Sequence, residues 1–568
     1  MNIRLAYLGR SSLTSTGMAE TLSLAPNLAR EPVAFDAPLL KPLRFREAIS
    51  ALHDVVVSDL RFKKRDKTAY QEYKKNEERR LAAIRSEALK QAKQEVLARQ
   101  EAIDPDFEKT FQRHVKRYWE LRLEYSAFLQ RTDPALWRML TPCDPVITVA
   151  DDVCFFECFS ADESAYGCLT VNREDGFGRS ENLQLGTTNV DYSWDLYHNF
   201  QALRSYKETR FKVDPAGFSV VTQGNADYRE EKIDLPQGWL RGFMQIQSAM
   251  GLPNIAVPLA REAVYSILAY LKRHRLEKSP RALRFELLPG KPPTVVLEPW
   301  EVRIVSHGTI YNGPPTEPIR IWGRRRLMVL ARTLPLASGY TVHLLGTGLP
   351  SFWLAHMGEM TLTLGLSGWT TNDWTRGSAL DLLMPPIKAG ADSIAITGGL
   401  LQQRRAMSLP DLLSVTRLPR PELAAALNHL AYAGQLIRDL TSNVYRWRQI
   451  MPQALGEAEI GPENAELLAS RSLLAKGKVA IEKHEVLASK TRFFGGTVES
   501  TPVEILIDPE DRIKRGKCLC GHYKTFGLRN GPCRHMLALR TFATTPATGA
   551  PESPGGSWDD RLRRLFGN

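Results

Sequence analysis

The order of apolar and polar positions divides this chain into stretches of different period. Residues 1–43 mix short apolar runs with prolines at 26, 32, 38 and 42, which predicts a small strand-bearing segment or an extended arm that packs elsewhere. From 44 to 138 the sequence turns dense in Lys, Arg, Glu, Gln and Ala, almost free of Gly. Leu81, Ile84, Ala88, Ala92 and Val96 recur at helical steps, and Phe111, Val115, Tyr118 and Tyr125 form a second stripe. Between them Asp104 suits an N-cap and Pro105 the first helical position. The expectation is a charged arm of two antiparallel helices, a coiled coil that grips a partner; its charges suit a solvated face equally well. Over 139–388 the pattern is mixed. Val146–Val149, Val153–Cys158 and Tyr166–Val171 are β-branched and aromatic, as strands are. Helical periods follow at about 194–204, 236–250 and 258–274, then β-rich sequence from 282 to 321. Phe352, Trp353, Met357, Met360, Trp369 and Trp374 in the apolar stretch 339–386 are expected core. Without βαβ alternation, this α+β body does not look like a nucleotide-binding sheet.

A distinct unit occupies 389–452. Asp411–Pro419 reads as a short helix and turn, and Pro421–Gly434 as an amphipathic helix opened by Pro and closed by Gly. Gln435–Arg438 and Val444–Arg448 form a hairpin around Thr441-Ser442-Asn443. This order resembles the winged helix, whose DNA-binding members put the second helix in the major groove and the wing on phosphate. Here no Arg or Lys lies between 421 and 433, a poor groove reader. Arg420, Arg438, Arg446 and Arg448 remain as candidate phosphate contacts, beside a reading of the unit as a protein-docking module. A helical linker (453–498), a small C-terminal ββα unit (499–544) and a Pro-, Gly- and Ser-rich tail (545–568), disordered for most of its length, complete an α+β multidomain chain.

At 568 residues the chain exceeds one compact core. The formal charge of +12 favours acidic partners such as nucleic acid. There is no signal-like N-terminus, and no stretch long and apolar enough for a bilayer, so a cytoplasmic location without membrane contact is expected. Of seven cysteines, Cys143, Cys154, Cys158 and Cys168 form no disulfide framework, and Cys154 and Cys158 are expected to pack as buried thiols beside Phe155 and Phe156.

The other three cysteines carry the chemistry. Cys518-Leu519-Cys520 is followed, twelve residues on, by Cys533-Arg534-His535. In extended chain the first pair faces one way, and the second pair sits at a helix entrance after Gly531-Pro532. Three thiolates and one imidazole make a closed tetrahedral set suited to one structural Zn2+. The spacing closely resembles the SWIM-type zinc finger over about residues 500–541, and the resemblance carries Cys518, Cys520, Cys533 and His535 over as ligands. His522, in the loop after Cys520, is expected outside the set. The family is described as binding DNA or proteins, and its bacterial members occur with AAA-type ATPases and von Willebrand A-type proteins, so partners of these kinds are implied.

Between 512 and 540 stand Arg512, Lys514, Arg515, Lys517, Lys524, Arg529, Arg534 and Arg540 without an acid, which reads as a phosphate-binding rim. No phosphate loop or nucleophile elbow occurs, and Asp151, Asp152, Asp373 and Asp381 are only scattered acids. The first expectation is therefore a non-catalytic zinc-binding subunit of a bacterial multi-protein system that binds nucleic acid, DNA rather than RNA, and recruits partner proteins. The alternatives are a protein scaffold for an ATPase system without nucleic-acid binding, and a transposase- or nuclease-like enzyme with an unrecognised carboxylate site.

Overall fold

The computed structural model describes residues 5–58, 145–213, 229–232, 237–275, 281–368, 389–450 and 464–544, with short breaks inside these ranges, and a few isolated positions between them. The chain forms two compact units, 59–141 and the remainder. Within 59–141 the described positions Arg113, Arg117 and Phe128 are helical; the two predicted stripes lie outside the described residues.

The body is built on an eight-stranded sheet. Its strands, edge to edge, are Ile255–Leu259, Gly339–Leu344, Ser351–Met357, Met360–Leu366, Ala165–Asn172, Val153–Phe159, Val146–Val149 and Gly186–Asn189. Every pairing in it is antiparallel. Val153–Phe159 and Met360–Leu366 are buried at every position, so both faces of the sheet are covered there. That explains why these strands read as unbroken apolar runs and not as alternation. Helix α1 (Pro42–Val56) lies on this sheet through Phe45, Ala48, Ile49, Leu52 and Val55. Gly167 permits the approach, since a Cβ there would stand 2.7 Å from the Leu52 side chain. Residues 44–56, expected as the start of the charged arm, thus belong to the body: their apolar stripe is wide enough to need a core.

The N-terminal segment supplies three strands (Ser12–Thr16, Ala19–Leu24, Ala34–Pro38) of a five-stranded sheet completed by Glu208–Val213 and Asn182–Gln184. Helices α2 (Gln237–Gly251) and α3 (Arg261–Arg273) follow, then a four-stranded antiparallel sheet of Leu283–Glu286, Thr294–Leu297, Val302–Val305 and Ile319–Ile321. A 3-10 segment, Arg324–Arg332, packs on α1 and α3. Phe352, Trp353, Met357, Met360 and Trp374 are core, while Trp369 lies outside the described residues. Cys154, Cys158 and Cys168 are buried free thiols, and burial pushes Cys154 up to about 12.

Residues 389–450 run α4 (Ala391–Arg404), strand Ala406–Met407, α5 (Leu409–Thr416), α6 (Arg420–Tyr432), then strands Leu436–Asp439 and Val444–Trp447. The three strands form one antiparallel sheet with Val444–Trp447 in the middle. Leu401, Leu412, Leu423, Leu427, Leu430 and Tyr445 make a core of its own. The unit is fastened to the body. Helix α6 packs on α2, with Ser248 Oγ 3.0 Å from Asn428 Oδ1 and Gln245 donating to the Tyr432 hydroxyl at 2.8 Å. Arg446 binds Asp439 and reaches Asp152 of the body with two nitrogens. Arg448 meets the fully buried Glu157 at 3.1 Å, where Tyr166 also donates at 2.6 Å.

The expected linker is helical only in part. Helix α7 (Ala465–Ala475) is followed by strands Val479–Val486 and Arg492–Val498, which join Thr501–Ile507 and Ile513–Cys518 in a four-stranded antiparallel sheet. Val479 and Ile481 are half-buried between exposed neighbours, a period of two that places this stretch in a sheet.

The buried Arg448–Glu157 pair yields a prediction. Arg448→Ala strands a carboxylate in the core and is expected to cost about 3–5 kcal/mol in urea unfolding, whereas Arg448→Met with Glu157→Gln should recover part of the loss.

Candidate metal centre

The site forms where the last strand of the C-terminal sheet meets a helix. Ile513, Gly516 and Cys518 are the buried positions of that strand, so Cys518 ends it facing inward. Two residues on, Cys520 caps helix α8 (Gly521–Phe526), its Sγ accepting the Tyr523 N–H at 3.4 Å. Pro532 and Cys533 lead into α9 (Arg534–Thr544), with Leu537 N–H bonded to the Cys533 carbonyl at 3.1 Å and His535 in the first turn. Helix α9 lies across the sheet through Met536, Ala538 and Leu539, against Val503 and Ile505. Gly516 leaves room for it, since a Cβ there would come within 2.9 Å of the Met536 sulfur.

These elements bring Cys518, Cys520, Cys533 and His535 together, their donor atoms all within 4.8 Å of one another. Cys518 Sγ is 3.8 Å from His535 Nδ1. A tetrahedron with metal–sulfur bonds of about 2.3 Å has edges of about 3.8 Å, so the four donors fit a bound metal ion. The hydrogen bond with Cys518 and burial push the Cys533 thiol up to about 12, and burial raises Cys520. A cation must therefore displace thiol protons. The Tyr523 hydroxyl, donating to the Gly516 carbonyl at 2.6 Å, ties α8 to the ligand-bearing strand. His522 is outside the cluster and packs on Phe526. Among the described residues, no other group of three His, Cys, Asp or Glu side chains lies close enough to hold a metal. Asp152 is taken by Arg446, while Asp373 and Asp381 lie outside the described residues.

Several residues of the basic rim have partners within the chain. Arg512 is bound to Asp508 at 2.7 Å and Glu510 at 3.1 Å, and donates to the Gly251 carbonyl at the end of α2. Arg515 pairs with Glu317 at 3.8 Å, and Arg534 clamps Glu466 of α7 with two side-chain nitrogens and its backbone N–H. Arg540 is buried, and burial lowers it to about 9. Lys514 and Lys524 are exposed, as is Arg534 beside its Glu466 partner, Lys517 is half-buried, and Arg529 lies outside the described residues. The acids that take Arg512 stand just before 512–540, in Asp508-Pro509-Glu510-Asp511, whereas Glu466 and Glu317 come from distant parts of the chain. Of the candidate phosphate contacts of the preceding unit, Arg446 and Arg448 are buried in ion pairs, Arg420 binds Glu510 at 2.7 Å, and Arg438 bonds Asn443 and lies over the Tyr445 ring.

The chain matches no protein family and no curated protein. Among solved structures it is similar to the proliferating cellular nuclear antigen from Entamoeba histolytica, at 13% identity over 43% of this chain and 96% of that one, with a TM-score of 0.28. A likeness at that score carries no argument about fold or function.

The donor set makes metal uptake pH-dependent. Because the Cys533 thiol is held protonated up to about 12 without a cation, affinity measured by competition with a chromophoric chelator is expected to weaken as pH falls. Cys533→Ser is expected to abolish stoichiometric uptake at any pH.

Proposed function

We propose that this chain is a non-catalytic assembly subunit, stabilised by one structural zinc ion, that recruits partner proteins. The observation that carries the reading is the direction of the finger's arginines. Arg512, Arg515 and Arg534 hold Glu and Asp of this same chain, and Arg540 is buried, so their charge fastens the C-terminal sheet in place. Three thiols and an imidazole favour zinc over harder cations and leave no open coordination position for substrate. The SWIM resemblance supports the same identity for the ion and implies an AAA-type ATPase or a von Willebrand A-type protein as partner.

The unit at 389–450 has the element order of a winged helix, and we read it as one used for docking. Its second helix after the short strand, α6, has its flank on α2 and lacks Arg or Lys beyond Arg420. Leu519, between two ligands and 53% exposed, gives the finger tip an apolar contact for a partner protein. A second reading, phosphate contact by the finger, is favoured by the exposed Lys514 and Lys524.

Affinity purification of the full chain from its native host, with and without nuclease, tests the proposal. Recovery of the same partner proteins after nuclease treatment is expected, as is their loss with Leu519→Ser at unchanged zinc content. Loss of all partners on nuclease treatment would contradict it in favour of the second reading.

A further inference from the structure

A surface far from the finger in sequence combines unpaired basic charge with stacked rings. Helix α3 ends in Lys272-Arg273-His274-Arg275, all four exposed. Lys and Arg in a last helical turn complement the helix dipole, which accounts for Lys272 and Arg273 but not for Arg275 beyond the cap. None of the three cations has an ion pair among the described residues. His274 is fixed: its backbone N–H and its Nδ1 both bond the Tyr270 carbonyl, at 2.9 and 3.1 Å. Its ring lies on Tyr270 with centroids 3.9 Å apart and planes 16° from parallel. One imidazole face is thus taken, on a side chain that is exposed as a whole.

Behind this stack stands Trp300, edge-on to both rings at 5.3 and 5.9 Å, with the Arg324 guanidinium 4.7 Å over its indole. Arg324 is 5% exposed and donates to the Glu298 carbonyl. The Glu298 carboxylate is committed elsewhere, to Arg284 at 2.8 Å and Arg320 at 2.9 Å. Burial, with the charge of nearby Arg281, lowers Arg324, and among the described residues the buried Nε of Arg281 has no hydrogen-bond partner. Among the described residues neither of these two guanidinium groups has a carboxylate of its own, and one keeps an unmade bond, an arrangement that favours an added anion.

We propose that the end of α3, with Trp300, Arg281 and Arg324, binds single-stranded nucleic acid. Phosphates take Lys272, Arg273, Arg275 and the Arg281–Arg324 pair, and a base continues the stack on His274. A single strand fits better than an acidic peptide because the fixed ring offers a π-face that peptide carboxylates do not use. It fits better than a duplex because a stacked base must be unpaired. The inference goes beyond the assembly reading and does not depend on it.

Fluorescence anisotropy of the full chain with a labelled thymidine oligonucleotide of about 20 nucleotides, longer than a typical single-strand site, tests it. Lys272→Glu/Arg273→Glu/Arg275→Glu is expected to weaken binding at least about tenfold near 0.1 M salt and to flatten the log-affinity against log-salt slope by about two. His274→Ala should cost about five- to fiftyfold, and 2-aminopurine in the strand should be quenched on binding to the wild type. Lys514→Glu/Lys524→Glu should leave affinity unchanged. The proposal is overturned if the wild type does not bind. It is equally overturned if the α3 variants bind normally, or if poly-glutamate displaces the strand at equal charge. Duplex bound as tightly as single strand, with His274→Ala silent, also sinks it. The substituted side chains of α3 are exposed, and unchanged thermal unfolding confirms that the variants fold.

Discussion

The C-terminal quarter of this protein turns on four donor atoms meeting within 4.8 Å. Two come from the end of a strand and the cap after it, and two from the entrance of a helix. The hydrogen bond with Cys518 and burial hold the Cys533 thiol well above its ordinary range, which disfavours a thiolate there without a cation. A bound cation would stabilise the thiolates by replacing those protons. Once α9 is held on the sheet, Met536, Ala538 and Leu539 complete a core continuous with that of the body. The centre therefore joins a sheet to a larger protein and is not a free-standing finger.

Charge works to the same end. Asp508, Glu510 and Asp511, all buried in one turn, are met by Arg512, Arg420 and Arg492, which come from the sheet itself and from α6. Burial raises Asp508 against the pull of Arg512, so the cluster is held by mutual neutralisation and not by cheap desolvation. With Arg446 on Asp152 and Arg448 on Glu157, three parts of the chain are fastened by arginines that a composition count assigns to an outside partner.

This is where reading the sequence succeeded and failed. The Cys/His cluster was legible because a one-residue spacing on an extended strand and at a helix entrance fixes geometry locally. The two helices before residue 275 were legible because burial imposes a period, and Val146–Val149, buried throughout, because it is β-branched. The arginines were not: whether a guanidinium faces phosphate or Glu317, nearly 200 residues away, depends on tertiary packing that no local window contains. Residues 44–56 were grouped with the charged stretch after them, although Phe45, Ile49, Leu52 and Val56 already marked a face needing a core. Strand Val479–Val486 was taken for helix because Lys and Glu dominate its solvent side. The stack of His274 on Tyr270 was hidden by its i, i+4 spacing, which also serves ordinary helix packing.

X-ray absorption at the zinc edge on the full chain, purified without added metal, tests the central claim most directly. The account predicts one tightly held zinc with three sulfur neighbours at about 2.3 Å and one nitrogen at about 2.0 Å. A shell of oxygen donors, a six-coordinate ion, or a folded chain with no metal would contradict it.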